Sequence, residues 1–416
     1  MNSSDRIAIV GGARTPFAKA GTSLKEVTAL ELGTHAVDGA LEKLDLDPEV
    51  VDQLSYGIVT LDARVPHLAR EINLSSRLPA SVRSLTLTDN CITGISAIES
   101  VSDSIRAGRA RVGIAGGVES MSNPSVLWSR RATRVLSDLR AARSVGERLK
   151  LLSRLRPNDV LPHAPGVDEP STGLSMGEHT ELTVKEWRIS RLEQDEIAYR
   201  SHMNAAAATS DGRLGREIHS LAGIEHDTTI RPGTSMDKLA SLGPVFDPGP
   251  DGSLTAGNSS PLTDGAAAVV LMAEAAARDH GYEPLAYVTA IEFAAIHPDE
   301  GLLMAPGVAV PRVLRRAGLS LSDIDLIEMH EAFGGQVAAN IAAWEHGWKE
   351  PPIGKVDRDK LNQLGGSIAI GHPFAATGAR IVTQLANEMA RRDVRYGLVS
   401  VCGAGATAAA LILERA

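Results

Sequence analysis

Cysteine is scarce in this chain: its 416 residues include two, Cys91 and Cys402. No secretory pattern precedes them, so a structural disulfide is not expected. Neither sits in the C-x-x-C or C-x-x-H spacing of a zinc site. A positive excess is missing as well. The net charge is −9, which leaves no chain-wide basic surface to neutralise phosphates, so a nucleic-acid partner is not expected. Long apolar runs are also lacking. The best candidate, 265–277, is interrupted by Glu274 and falls short of the roughly 18 residues a membrane-crossing helix needs. Asp5 and Arg6 lead straight into the apolar run 7–10 without a targeting pattern, which points to the cytoplasm.

What is present is ordinary soluble composition, 43% hydrophobic with 39 glycines. The length suits two or three domain-sized units with a core that needs no staples. Frequent glycine and runs of alanine favour closely packed helices.

An internal repeat organises the chain. Residues 89–117 and 373–402 each contain Thr-Gly, an amphipathic helix, an Arg-rich turn and a short apolar strand. Thr93-Gly94 aligns with Thr377-Gly378 and Gly113 with Gly397, both at a spacing of 284 residues. Residues 41–52 likewise align with 314–325 at a spacing of 273, which places an 11-residue insertion near 344–357. The chain therefore reads as two copies of one α/β unit, with mostly parallel sheets covered by helices. The boundaries fall at 1–121 with 252–280 for the first half, 122–251 for an inserted loop domain, and 281–416 for the second half.

Within the insertion, residues 130–156 hold nine cations against Asp138 and Glu147. Apolar residues recur at helical spacing through Val135, Leu139, Val145, Leu149 and Leu152. Such a segment can be a solvated helical face, a membrane or partner surface, or a seat for the phosphates of an anionic ligand.

Four positions carry candidate chemistry. Cys91 immediately precedes an amphipathic helix, where the dipole and free N–H groups favour a thiolate nucleophile. His372 in Gly371-His372-Pro373 occupies nearly the same place in the second repeat. Two facing halves would bring His372 beside Cys91, where it can take the thiol proton. Cys402 follows the strand 398–401 and can move a proton to and from carbon. His330, in His330-Glu331-Ala332-Phe333, follows the strand 325–329.

With these residues in view the chain resembles the thiolases over essentially its whole length. The resemblance rests on Arg14-Thr15-Pro16-Phe17, the Cys91 segment, 116–122, Ser175-Met176-Gly177, 255–260 with Asp264-Gly265-Ala266, His330 to Phe333, Gly371-His372-Pro373 and Cys402-Gly403. It implies a five-layered αβαβα fold of two related βαβαβαββ halves with an inserted loop domain. It implies that Cys91 accepts the acyl group, that His372 activates it, and that Cys402 is the acid/base. It implies backbone oxyanion donors at Cys91 and Ala404, with Ser260 and Met176 along the coenzyme A pantetheine channel. Coenzyme A is then co-substrate, with no bound metal or redox cofactor.

Two departures matter. Most thiolases have Asn where this chain has His330. The His form resembles the branch containing the trifunctional-protein β-subunits and a bacterial fatty-acid-oxidation thiolase, as do residues 149–162 and 366–369. That implies degradative cleavage of medium- to long-chain 3-ketoacyl-CoA, in a bacterial cytoplasm. It also implies a homo-oligomer, dimer or tetramer, and a hydratase/dehydrogenase α-subunit partner. The tail Cys402-Gly403-Ala404-Gly405-Ala406-Thr407 is less Gly-rich than is usual in the family, so a positive φ at position 406 would strain Ala406. Alternatives are a biosynthetic acetoacetyl-CoA thiolase and a non-catalytic scaffold subunit. A decarboxylating ketoacyl synthase is disfavoured, because that chemistry lacks the second cysteine.

Overall fold

The computed structural model describes residues 6–162, 166 and 168–415. The positions 1–5, 163–165, 167 and 416, including Asp5, lie outside the described residues. Among the described residues there are ten strands: β1 (Ile7–Arg14), β2 (Ala18–Lys19), β3 (Gln53–Gly57), β4 (Arg83–Leu87), β5 (Val112–Glu119), β6 (Thr263–Ala273), β7 (Ala286–Ala295), β8 (Leu326–Met329), β9 (Tyr396–Gly403) and β10 (Thr407–Glu414). Their order is β4-β3-β5-β6-β1-β7-β10-β9-β8, with β2 paired to β6.

The order contains one motif twice. β3 runs parallel to β5, which pairs antiparallel with β6, which pairs antiparallel with β1. β8 runs parallel to β9, which pairs antiparallel with β10, which pairs antiparallel with β7. The halves join where Ile7–Ile9 of β1 meets Ala286–Val288 of β7. Both sequence repeats map onto equivalent elements. The helices Thr93–Arg106 and Thr377–Arg392 lead into β5 and β9, and the helices Ala29–Lys43 and Pro306–Ala317 lead toward β3 and β8. The strand equivalent to β4 is reduced in the second half to a bridge between Ile327 and Leu361.

Strand alternation builds the layers, since successive side chains face opposite sides of a sheet. On β6, Ala267, Val269 and Leu271 face the central helices, while Ala268, Val270 and Met272 face the helix Ala29–Lys43. On β10, Ala409, Leu411 and Leu413 face the same centre, while Ala408, Ala410 and Ile412 face the helices Pro306–Ala317 and Gly334–His346. The result is helix, sheet, helix pair, sheet, helix: the αβαβα order. The central pair is close because Gly94 and Gly378 lack side chains. A Cβ on Gly94 would meet the Gly378 Cα at 3.0 Å.

The segment 122–251 divides in character. The helices Arg130–Ala141 and Val145–Leu152 stand out from the body, with Ala132 and Val135 buried on the first and nothing buried on the second. The rest wraps the core. The helix Arg191–Ser210 packs against Gly334–His346 and Ser367–Ile370. Asp227 forms a bidentate ion pair with buried Arg14 of β1 at 2.6 and 2.8 Å.

Candidate active site

Cys91 stands on a tight turn. Asn90 holds a left-handed φ of 47°, a conformation that Asn tolerates better than most residues. The turn is fixed by Thr93 Oγ1, which accepts from the Asp89 N–H at 2.7 Å and donates to the Asn90 carbonyl at 2.6 Å. Ser96 Oγ donates to Asp89 at 2.7 Å. The helix starts at Thr93, so Cys91 lies just ahead of it. Asn90 Nδ2 donates across the halves to the Ala404 carbonyl at 2.9 Å.

His372 is brought to the same point by the second repeat. Its Nε2 lies 3.2 Å from Cys91 Sγ, and its Nδ1 lies 2.7 Å from Thr377 Oγ1. Thr377 Oγ1 itself donates to the Pro373 carbonyl at 3.5 Å, so it accepts from Nδ1–H. That tautomer leaves Nε2 bare to receive the thiol proton.

His330 lies at the end of β8 with its ring 4.0 Å from that of His372, tilted by 38°. Its Nδ1 is 2.8 Å from Ser367 Oγ, and Arg380 donates to the same oxygen at 3.1 Å. His330 Nε2 is buried with no hydrogen-bond partner. Because Arg380 supplies one hydrogen to Ser367 Oγ, the Ser367 hydroxyl proton is free for His330 Nδ1. His330 Nε2–H is then a donor aimed at the cleft. Glu331 turns the other way. It accepts from Ser201 Oγ at 2.6 Å and from the Ile368 N–H at 3.2 Å, fixing the segment that carries Ser367 and His372.

Cys402 is the penultimate residue of β9, buried at 1% exposure, where burial, and after it the neighbouring Cys91, pushes its thiol well up. The hairpin after it runs through Gly405 at φ 76° and Ala406 at φ 57°, so the strained position expected from the sequence exists. Glu169 of the insertion accepts from the Gly405 N–H at 2.9 Å. Met176 packs half-buried against the cluster containing Cys402, Phe333 and Ala406. Ser260 donates its N–H to the Ala332 carbonyl at 2.9 Å, which places it beside the His330 segment.

The electrostatics differ from the helix-dipole expectation. Burial pushes the Cys91 thiol up to about 12, against hydrogen bonds from the N–H groups of Ala404 and Cys91 that favour the thiolate. Burial holds His372 down at about 3 and His330 well below its ordinary value. Cys402 is pushed well up, chiefly by burial. Desolvation thus outweighs the dipole, and the resting site holds neutral thiols and neutral imidazoles. The two N–H groups on Cys91 Sγ are those expected as oxyanion donors.

Several contributors were not visible in the sequence. Thr377 and Ser367 set the histidine tautomers, buried Arg380 backs Ser367, and Glu169 reaches the Gly405 turn from 236 residues away. Glu119 is another. It accepts from the N–H groups of Thr60 at 2.7 Å and Val59 at 3.2 Å, and from that of Ala375 at 3.4 Å, tying β5 to the segment ahead of the His372-side helix. The Thr377 role alone had a signal, its repeat match to Thr93, which caps the Cys91 turn.

The chain matches the family models for the thiolase N-terminal domain over residues 7–275 and the thiolase C-terminal domain over residues 282–415. It is 45% identical to a 3-ketoacyl-CoA thiolase of Pseudoalteromonas translucida, over 99% of this chain and 97% of that protein. Its structure resembles that of human mitochondrial 3-ketoacyl-CoA thiolase in complex with CoA, at a TM-score of 0.85 and 29% identity over 99% and 98% of the two chains. It resembles the acetyl-CoA acetyltransferase of Bacillus anthracis equally in shape, at a TM-score of 0.85 and 30% identity over 100% of both chains. Two halves that each bring one partner of the Cys91–His372 contact to a shared cleft, matched end to end by both domain models, make this chain a member of the thiolase family.

Proposed function

We propose that this chain is a 3-ketoacyl-CoA thiolase that works degradatively, cleaving its substrate with coenzyme A to acetyl-CoA and an acyl-CoA shortened by two carbons. The observation that carries the residue roles is the 3.2 Å contact between Cys91 Sγ and His372 Nε2, with the Ala404 and Cys91 N–H groups directed at the same sulfur.

Cys91 transfers its proton to His372 Nε2, and the thiolate attacks the 3-keto carbon. The oxyanion takes the N–H groups of Cys91 and Ala404; one such donor is typically worth about 2.7–4 kcal/mol. As the C2–C3 bond breaks, electrons pass to the thioester enolate, whose oxygen takes hydrogen bonds from His372 and from His330 Nε2–H. Cys402 protonates C2 and is left as a thiolate. In the second half-reaction Cys402 removes the proton of the coenzyme A thiol, which attacks acyl-Cys91. The departing Cys91 sulfur recovers its proton from His372. A high Cys402 pKa suits this cycle, because the group must begin as an acid. Ser260 and Met176 line the pantetheine path in this reading.

Direction rests on His330, the form that resembles the degradative branch; the fold neighbours include a 3-ketoacyl-CoA thiolase and an acetyl-CoA acetyltransferase. A homo-oligomer, a hydratase/dehydrogenase α-subunit and a bacterial cytoplasmic location are further parts of the proposal. Attachment through residues 130–156 is another, supported by apolar groups left exposed: Val145 at 72%, Leu149 at 63% and Leu136 at 47%. No described helix is long and apolar enough to cross a membrane.

The test is thiolysis of 3-ketoacyl-CoAs of increasing chain length, with Cys91→Ala and Cys402→Ser beside the wild type. Rising efficiency beyond acetoacetyl-CoA supports the degradative reading. Turnover confined to acetoacetyl-CoA would favour the biosynthetic one. Normal turnover by Cys91→Ala would sink the mechanism.

A further inference from the structure

The cleft that performs this chemistry is also a set of metal ligands. Among the described residues, Cys91, His330 and His372 each offer one donor atom, and the three atoms lie within 4.8 Å of one another. Cys91 Sγ and His372 Nε2 are 3.2 Å apart. His330 Nε2 is buried and lacks any hydrogen-bond partner, so it is a nitrogen aimed into the cluster with nothing to satisfy it.

The outer nitrogens strengthen the case. A histidine that binds a metal normally donates its other ring N–H to an outer-shell acceptor, which fixes the tautomer and ring orientation. Both histidines have such a partner. His372 Nδ1 faces Thr377 Oγ1 at 2.7 Å and His330 Nδ1 faces Ser367 Oγ at 2.8 Å. The His372 tautomer already leaves its inner nitrogen bare, whereas His330 binds a metal only after its hydrogen passes from Nε2 to Nδ1, where Ser367 Oγ, a hydroxyl able to turn its own proton away, accepts it.

We propose that Cys91, His330 and His372 bind one zinc-like divalent cation, and that this ion reversibly inhibits the enzyme. One thiolate and two imidazoles suit Zn²⁺, with water in the fourth position. A tetrahedral set spaces its donor atoms about 3.3–3.7 Å apart. The three donor atoms, all within 4.8 Å of one another, are near that spacing. Binding replaces the Cys91 S–H bond with an S–metal bond and releases one proton to solvent, with no change of oxidation state. The ion then occupies both the nucleophile and the nitrogen that accepts its proton, so it and the acyl-CoA exclude one another. His330, the residue that departs from the commoner family motif, completes the site; Asn there would leave one thiolate and one imidazole.

The experiment uses EDTA-treated full-length protein in thiol-free buffer, titrated with Co²⁺ as a spectroscopic probe and with Zn²⁺ by calorimetry. The expected result is one ion per chain, a thiolate-to-cobalt charge-transfer band, and about one proton released per Zn²⁺ bound. Cys91→Ser should abolish the band, and His330→Asn should weaken Zn²⁺ binding at least ten-fold. Ser367→Ala should weaken it about 10–100-fold if outer-shell orientation matters as it usually does. Zn²⁺ should inhibit thiolysis competitively with acyl-CoA, and EDTA should restore activity. A missing thiolate band, a band removed by Cys402→Ser instead, or equal Zn²⁺ affinity in the wild type and His330→Asn would overturn the proposal. Thiolysis measured in EDTA reads the enzymatic assignment separately, so either can fail without the other.

Discussion

Gly94 and Gly378 are in backbone contact: a Cβ on Gly94 would fall 2.7 Å from the Ala379 nitrogen and 3.0 Å from the Gly378 Cα. The contact sets the distance between the two central helices, and each helix start carries one partner of the Cys91–His372 pair. The spacing of the Cys91–His372 pair is therefore fixed by two absent side chains. Gly94→Ala should lower stability by about 1–3 kcal/mol, as overpacking usually does, and should lower turnover further by parting the pair. Urea unfolding and acetoacetyl-CoA thiolysis read the two effects. An unchanged unfolding midpoint with unchanged turnover would show that the contact has slack.

The protonation state of Cys91 gives a second prediction. A thiol pushed up to about 12 is almost wholly protonated near neutrality, and its thiolate fraction rises with every step of pH below that value. His372, held down at about 3, stays neutral over the same range and adds no falling limb. Alkylation of Cys91 by iodoacetamide should therefore accelerate continuously from about pH 6 to about pH 9. A plateau already reached at about pH 6 would mean a pre-formed ion pair.

Ser367 is expected to act through His330. Arg380 donates to Ser367 Oγ at 3.1 Å, which frees the hydroxyl proton for His330 Nδ1 at 2.8 Å. Ser367→Ala removes the group that keeps the hydrogen on His330 Nε2. Turnover should fall with little change in KM, by less than the about 10²–10³-fold expected of His330→Ala. Ser367→Thr, which keeps a hydroxyl, should recover part of the loss. A rise in KM alone, with kcat intact, would place Ser367 in substrate binding instead.

The surface around residues 130–156 yields a fourth prediction. Trp128, Leu136, Val145, Leu149 and Leu152 are all exposed on or beside helices rich in arginine. Arg131 has an acidic partner in Asp159, at 3.6 Å. Reversing Arg130, Arg134, Arg140 and Arg148 to Glu should weaken binding to anionic vesicles, most clearly at low salt, at about 1 kcal/mol per cation near the surface. Acetoacetyl-CoA thiolysis should stay near the wild-type rate. A raised KM for every acyl-CoA, with vesicle binding unchanged, would assign these arginines to the coenzyme A phosphates.

Local pattern made much of this readable. The Thr-Gly repeat marks both central helices, and its spacing already sets Cys91 opposite His372. Cys402 and His330 stand at strand ends, where a change of periodicity locates them. Contacts made at long separation are another matter. Nothing near Glu169 indicates that it will hold the Gly405 N–H, and nothing near Asp227 announces its pairing with Arg14. The ionisation of Cys91 departs from its local sequence signal for a related reason. Its place before a helix is local, whereas the desolvation that dominates its pKa comes from both halves closing over it.

The pairing of β5 with β6 has a consequence for how the chain is made. These strands are antiparallel neighbours, yet β5 ends at Glu119 and β6 begins at Thr263. On the ribosome, β1 and β5 emerge long before the strand that lies between them. At about 5–20 residues per second the slot stays vacant for on the order of ten seconds. Two unpaired strand edges are exposed throughout that wait, and such edges recruit other extended chains. The first half therefore cannot close as an independent unit during synthesis, and a nascent chain halted within the insertion is aggregation-prone until β6 arrives.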